Sequence, residues 1–217
     1  FQVLSMGHSQ LAQFIGAQGP NTQCNAACAS TAQAVAIAED WIKTGRCRRV
    51  IVVGSDNVTS PELLRWIGGG FMAAGAASTH DVVEETALPF DRRRHGLVLG
   101  MGAAALVLES RDACAERGVH PIAQLLNATI VNSAYHGTRL HPTHIADTVR
   151  DAVVKTCAQH SLSPDEIAQH SFFMSHETYT PARGGSAQAE VEALRAAFGT
   201  GVDQIMVTNT KGYTGHP

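Results

Sequence analysis

Two patterns of apolar residues alternate along the chain. Short continuous apolar runs are followed by longer segments in which apolar residues recur every three or four positions. The first pattern is typical of buried strands, and the second is typical of helices that pack by one face. Their alternation predicts an α/β fold in which helices cover a layered sheet.

Helices are predicted where the apolar face is continuous and the ends carry capping residues. The predicted helix at 29–44 has apolar residues on most of its faces and is expected to be largely buried. Ser163 and Glu166 form a capping box with proline between them, which starts another short helix. The other predicted helices are residues 8–18, 61–67, 111–117, 143–160 and 187–198.

Strands are predicted at the short apolar runs. The β-branched run at 49–54 fits a central parallel strand, and with a short strand at 21–25 it predicts a βαβ unit. The remaining predicted strands are residues 102–109, 122–131, 172–174 and 204–207. Residues 68–98 look irregular, and a loop of that length within a compact domain is usually functional.

Composition narrows the possible classes of function. Of the 217 residues 44% are hydrophobic, which is enough for one large domain or two small ones. The net charge of -3 and the short basic runs argue against a nucleic-acid partner. No stretch has the length and apolarity of a membrane span, so no membrane association is expected. Because the chain starts without an initiator Met or a leader, we expect that both ends are cut from a longer polypeptide.

The five cysteines are odd in number and scattered, which argues against a disulfide framework and favours a cytoplasmic location. Cys24 and Cys28 lie four residues apart, but no second pair completes a zinc site, so no metal is expected. We interpret Cys47, Cys114 and Cys157 as small buried hydrophobic residues.

Candidate reactive residues stand at the ends of predicted elements. Cys28 precedes the helix at 29–44, where unpaired backbone N–H groups and the helix dipole favour a thiolate. The backbone N–H of Cys28 could also contribute to an oxyanion hole. His176 follows a strand directly, and Lys211 and His216 lie in the glycine-rich loop after the last strand. Reactive groups at strand ends are a common arrangement in α/β proteins.

Several blocks of sequence, taken together, resemble the β-ketoacyl synthase family, in the family's order and near its spacing. Residues 25–31 resemble the motif around the nucleophilic cysteine. The other blocks are PFDRRRHG at 89–96, GMGA at 100–103, HETYTP at 176–181 and TNTKGYTGH at 208–216.

The resemblance implies a thiolase-like fold, layered αβαβα with two similar halves and incomplete here at both ends. Residues 1–117 would be the remainder of the first half, and residues 118–217 would be the beginning of the second. Family members are usually homodimers, and some share a polypeptide with neighbouring synthase domains.

The resemblance also implies a reaction. Cys28 would take an acyl group from the phosphopantetheine of an acyl carrier protein and condense it with a malonyl-type thioester, with no further cofactor. His176 and His216 would stabilise the enolate oxygen, and Lys211 would orient or charge the histidine region.

The blocks depart from the family pattern in several places. Met101 replaces a glutamate, and Glu177 and Tyr179 stand where glycines are usual. The segment Arg183-Gly184-Gly185-Ser186 replaces a Gly-Asp. These changes indicate a divergent branch with a reshaped pocket.

Two side-chain interactions near the site are open to interpretation. Asp91 and Arg94 could form an ion pair that pins the long loop. Glu190 either ties down a loop near Lys211 or lies on a solvated helix face.

Three other functions remain open on the sequence alone. The final Gly-His-Pro at 215–217 matches a thiolase-type enzyme that uses coenzyme A thioesters. The departures near His176 leave room for a gatekeeper that binds acyl groups without elongating them. A cysteine-dependent hydrolase would need a base near Cys28 and a path for water.

Overall fold

The computed structural model describes residues 6–135, 139–181 and 185–217. Arg183 and Gly184, part of one departure from the family pattern, lie outside these ranges. The chain divides into two compact units, Phe1–Gly54 with Ala103–Ile130 and Ser55–Gly102 with Val131–Pro217. The halves predicted at 1–117 and 118–217 are the two similar halves of the resembling family, which are defined differently from these compact units. That division stays a prediction.

Helices predominate over strands in the described residues. Three shorter helical turns have 3₁₀ or π geometry, at Leu64–Gly68, Val83–Glu85 and Gly199–Gln204. No described helix combines the length and apolarity needed to cross a bilayer. In chain order the elements are α1 (Gly7–Ile15), α2 (Ser30–Lys43), β1 (Arg49–Asn57), α3 (Pro61–Leu63), α4 (Gly69–Ala73), β2 (Met101–Glu109), α5 (Arg111–Glu116), α6 (Pro142–His160), α7 (Pro164–His170), β3 (Phe172–Met174), α8 (Ala187–Phe198), β4 (Met206–Thr208) and α9 (Lys211–Thr214).

In the first unit, β1 pairs with β2. Glu109, at the end of β2, forms ion pairs with Arg49 and Arg117, which links the strand ends to α5. The next helix start is capped by Ser110, whose side chain accepts a hydrogen bond from the backbone of Ala113. The turn that carries Cys28 leads into α2 in this unit.

In the second unit, β3 and β4 are parallel, with Phe172 opposite Met206 and Met174 opposite Thr208. Parallel strands end at the same edge of a sheet. The segments that follow β3 and β4 therefore leave from one edge, and these segments carry His176 and Lys211. The parallel pairing brings candidate residues together that are far apart in sequence.

The helix predictions are largely confirmed. The structure places α8 over Ala187–Phe198, the range predicted from its apolar face. At α7 both bonds of the capping box form, because Ser163 accepts from the backbone of Glu166 and Glu166 accepts from the backbone of Ser163. The helix predicted at 61–67 extends further, through a π turn to Ala73.

Two of the strand predictions are wrong. Residues 21–25 and 122–131 have no strand structure, so the predicted βαβ unit lacks its first strand. A strand needs a hydrogen-bonded neighbour, and neither segment is paired in a ladder with another described segment. The run at 49–54 was expected to be a central strand, but β1 lies in a sheet of two strands with β2 in the part of the chain that the structure describes. Val52 is buried, but Ile51 and Val53 are exposed.

Replacing Ser163 by Ala should lower the free energy of unfolding by about 1 kcal/mol, because the N–H of Glu166 in the first turn of α7 loses the side-chain oxygen that caps it. Urea denaturation followed by circular dichroism measures this change. The matched control is Ser9→Ala within α1, where alanine has the higher helix propensity. Equal stability of Ser163→Ala and the unsubstituted protein would contradict the capping role.

Candidate active site

Three of the four predicted site residues meet in the second unit. His176 follows β3 after one residue, and Lys211 opens α9. The rings of His176 and His216 pack edge to face, with centroids 5.9 Å apart and planes at 84°. The Nζ of Lys211 donates a hydrogen bond of 2.9 Å to the carbonyl of His176. A cation and two imidazoles thus occupy one small region.

His216 is held through its backbone by the segment that precedes β2. Its N–H donates to the carbonyl of Val98 at 2.8 Å, and its carbonyl accepts from the N–H of Gly100 at 2.9 Å. This parallel bridge is centred on Leu99. Gly100 must be glycine for steric reasons, since a Cβ there would lie 2.3 Å from the carbonyl oxygen of Thr214.

The electrostatic environment keeps both imidazoles neutral. Burial is the main cause that lowers the pKa of His176 to about 4, followed by the charges of Lys211 and His216. As a whole residue His176 is exposed and His216 is half-buried. The pKa of His216 is also lowered, first by burial and then by Lys211, against an opposing effect of Asp56. A neutral imidazole offers one N–H donor at neutral pH.

Polar side chains that were not predicted to act together fix the two histidine-bearing loops. Asn209 donates 2.7 Å to the carbonyl of Glu177 and accepts 2.9 Å from the N–H of Lys211. Ser175 donates 2.5 Å to the carboxylate of Glu190. Glu190 therefore holds the residue beside His176, and the alternative of a solvated helix face is wrong.

The predicted ion pair between Asp91 and Arg94 does not form. Asp91 pairs instead with Arg93 at 2.8 Å, an interaction that lowers the pKa of Asp91 to about 2 through side-chain hydrogen bonding first. Arg94 donates to the backbone carbonyl of Asp91, and its Nε lies 3.7 Å from the carboxylate of Glu177. Sequence proximity favoured the wrong partner, because the acidic residue that faces Arg94 comes from another loop.

Glu177 is the main feature of the site whose contacts sequence reasoning missed. Its side chain is fully buried, and burial is the largest effect on its pKa, which is raised. Its carboxylate accepts from the N–H of Tyr179 at 2.8 Å and from the N–H of Phe90 at 3.3 Å. The available signal was a carboxylate at a position where the resembling family has glycine.

Cys28 lies in the first unit on a tight turn, two residues before α2, and it is exposed. Ala27 has φ +48°, a left-handed conformation that is strained for alanine. The N–H groups of Ala29 and Ser30 donate back to Ala26 and Ala27, each at 3.0 Å. The expected position at the start of a helix is confirmed, while the strand expected before it is absent.

The other cysteines lack these features. All five are free thiols, and burial raises the pKa of Cys114 and Cys157. A raised pKa disfavours the reactive thiolate. Within the ranges that the structure describes, no group of three or more His, Cys, Asp or Glu side chains is arranged to hold a metal ion.

Gly100→Ala should destabilise the protein by about 2 kcal/mol, because the new methyl group overlaps the backbone beside His216. The imidazole signals of His216 should shift with it in an NMR spectrum. Gly102→Ala is the control, since its Cβ would meet Pro217 at an ordinary 3.8 Å. If both variants unfold at the same urea concentration, the bridge does not constrain His216.

Lys211→Met should raise the pKa of His176 from about 4 towards its usual 6.5, because a neighbouring positive charge is removed. The pKa of His216 should rise in the same direction. Titration of the imidazole resonances by NMR measures both, with the exposed Lys155→Met as control. Unchanged titration curves would exclude Lys211 as the cation that keeps the rings neutral.

Comparison of the sequence with known proteins finds one matching family model and several relatives. The family model described as "Beta-ketoacyl synthase, N-terminal domain" matches residues 3–113. A 3-oxoacyl-[acyl-carrier-protein] synthase 2 from Staphylococcus aureus is 29% identical over 97% of this chain and 49% of its own length. The chloroplastic 3-oxoacyl-[acyl-carrier-protein] synthase II of Arabidopsis thaliana is 31% identical over the whole chain and 38% of its own. The chain thus spans about half the length of the bacterial relative.

Solved structures agree on the fold. A type II polyketide synthase ketosynthase, in complex with its acyl carrier protein and bound to a hexaketide, aligns with a TM-score of 0.83. It is 25% identical over 99% of this chain and 50% of its own. The ketosynthase from module 6 of the bacillaene synthase of Bacillus subtilis 168 aligns at 0.81, with 20% identity over 99% of this chain and 36% of its own. The predicted thiolase-like α/β fold is confirmed, and the chain belongs to the β-ketoacyl synthase family.

Proposed function

We propose that the protein containing this chain is a β-ketoacyl synthase, an acyltransferase of fatty acid or polyketide biosynthesis. It joins an acyl chain held on Cys28 to a malonyl-type thioester on acyl carrier protein. The observation that carries the proposal is the pair of neutral imidazoles with ring centroids 5.9 Å apart beside Lys211.

The first half-reaction is acyl transfer. The Cys28 thiolate attacks the carbonyl of the acyl thioester, the new bond joins sulfur to the acyl carbon, and the phosphopantetheine thiol of the carrier leaves. Cys28 is exposed on the turn before α2, where a carrier-bound thioester can reach it, and its backbone N–H is a candidate donor to the oxyanion. In this proposal the reaction needs no cofactor beyond the carrier's phosphopantetheine.

The second half-reaction is decarboxylation and carbon–carbon bond formation. Loss of CO2 from the malonyl thioester leaves an enolate, whose oxygen needs hydrogen-bond donors. His176 and His216 supply two N–H donors, and one such donor contributes about 3 kcal/mol to a transition state. The enolate carbon then attacks the acyl carbon, and the Cys28 sulfur leaves as thiolate.

Neutral imidazoles suit this step better than charged ones. An imidazolium near the enolate would be an acid able to protonate the carbanion before it attacks the acyl group. The lowered pKa values of His176 and His216 avoid this loss. Lys211 serves the step by holding the carbonyl of His176 and by disfavouring protonation of both rings.

A homodimer, a cytoplasmic location and neighbouring synthase domains in one polypeptide belong to the proposal through the family resemblance. Acyl carrier protein is the proposed partner, supported by a related ketosynthase described in complex with its own carrier. The sequence match to the synthase family over residues 3–113 favours a synthase over a thiolase.

A non-elongating gatekeeper is the second candidate, because Glu177 and Tyr179 fill positions beside His176 where the family pattern has glycine. Both side chains are fully buried, and the Tyr179 hydroxyl bonds the backbone of Lys211. This candidate shares the acylation of Cys28 with the synthase and lacks the carbon–carbon bond-forming step.

Incubation of the full-length protein with an acyl-loaded carrier should add the acyl mass to the peptide that contains Cys28. Addition of malonyl-loaded carrier should then release a β-ketoacyl product, detected by mass spectrometry. Cys28→Ser should abolish both signals, whereas the control Cys114→Ser should leave them at the level of the unsubstituted protein. His176→Ala should slow product formation about a hundredfold, because one enolate donor is lost.

Each alternative gives its own result. Acylation without any product would identify a gatekeeper, and release of free acid would identify a hydrolase. Product formation from acetyl-coenzyme A without CO2 release would identify a thiolase. No acylation of Cys28 by any of these thioesters would contradict the proposal as a whole.

A further inference from the structure

We propose that Tyr179 is a positioning residue for the condensation step, since its hydroxyl fixes the spacing of the loops that carry His176, Lys211 and His216. This inference rests on the function proposed above and adds a residue to it. In the resembling family this position usually holds glycine, so the family pattern does not supply the role.

The backbone of Tyr179 is in a conformation that favours glycine. Its φ is +44°, which brings the Cβ of an L-residue too close to its own backbone. A glycine would adopt this conformation without strain. The chain therefore maintains tyrosine at a position where the backbone opposes it, which requires compensating contacts from the side chain.

Those contacts reach two other segments of the second unit. The Tyr179 hydroxyl lies 3.2 Å from the carbonyl oxygen of Lys211. It also lies 3.4 Å from both the backbone nitrogen and the backbone oxygen of Val98. It can accept a hydrogen bond from the N–H of Val98 while it donates to Lys211.

The segment that contains Val98 also holds His216. The carbonyl of Val98 accepts from the N–H of His216, and the N–H of Gly96 donates to the carbonyl of Tyr179 at 3.2 Å. Tyr179 therefore connects the His176 loop to the backbone on which His216 rests. The hydroxyl of Tyr179 thus links its own loop to the segment that contains Val98 and to the loop that carries both Lys211 and His216.

Glu177 fixes the other end of the residue. Its buried carboxylate accepts from the N–H of Tyr179, and the same oxygen accepts from Phe90. The side chain of Tyr179 is itself fully buried. The tyrosine is thus restrained at its amide, its carbonyl and its hydroxyl. A residue that sets the distance between two loops must be fixed at both ends in this way.

The test compares Tyr179→Phe with Tyr213→Phe in the full-length protein. Both variants lose one hydroxyl, but Tyr213 is 95% exposed and follows Lys211 by two residues. The first readout is the NMR titration of His176 and His216. In Tyr179→Phe the pKa of His176 should rise from about 4 towards 6.5, because looser loops admit water to the ring.

The second readout is the rate of condensation per acylated Cys28. Tyr179→Phe should lower kcat about fivefold to tenfold with KM for the malonyl carrier within about twofold, because binding surfaces are unchanged and enolate alignment is lost. Tyr213→Phe should match the unsubstituted protein in both readouts. A purely structural role would reduce the amount of acylable protein and leave the rate per acylated site unchanged.

Tyr179→Gly is the second variant in case the phenylalanine variant does not fold, since glycine adopts the backbone conformation without strain. It should show the same rise in the pKa of His176. Histidine titrations that superimpose on those of the unsubstituted protein in a folded Tyr179 variant would overturn the inference. If the unsubstituted protein forms no condensation product, the proposed function fails by itself, and the titrations still decide whether Tyr179 positions the histidines.

Discussion

A positive charge held beside two imidazoles is the constraint on which the rest of the site depends. The Lys211 ammonium is anchored by the carbonyl of His176, and its field lowers the pKa of both His176 and His216. Burial acts in the same direction and is the larger cause for each ring. The two rings are therefore neutral donors rather than acids at neutral pH, which is the state that the proposed condensation requires of them.

The fold supplies this arrangement through parallel pairing. The pairing of β3 with β4 sends the residues after each strand to one edge of the sheet. The bridge between Leu99 and His216 adds a third segment to the same region. Side chains then fix the distances, because Asn209 joins the two histidine-bearing loops and Tyr179 joins both of them to the segment that contains Val98. Glycine at position 100 leaves the space that this close backbone approach needs.

Sequence reasoning was reliable where the determining interactions are local. The capping box at Ser163 and the apolar face of Ala187–Phe198 predicted two helices, because both signals lie within a few residues. The strand at 122–131 was wrong, since its apolar residues carry no information about which neighbour would pair with it. The blocks around His176 and His216 identified the residues that meet, through a resemblance that already contains tertiary information.

The contacts that hold the site could not be predicted in the same way. Arg94 faces Glu177, which is 83 positions away in the chain, instead of the neighbouring carboxylate of Asp91. Glu177 and Tyr179 looked like departures from a family pattern, and their burial is visible only in the folded chain.

The most direct measurement is a crystal structure of the full-length protein with Cys28 acylated and a malonyl-thioester analogue bound. The account predicts the thioester oxygen of the analogue at about 3 Å from a ring nitrogen of both His176 and His216. An analogue bound at the acylated Cys28 with both rings beyond hydrogen-bonding distance of that oxygen would contradict it.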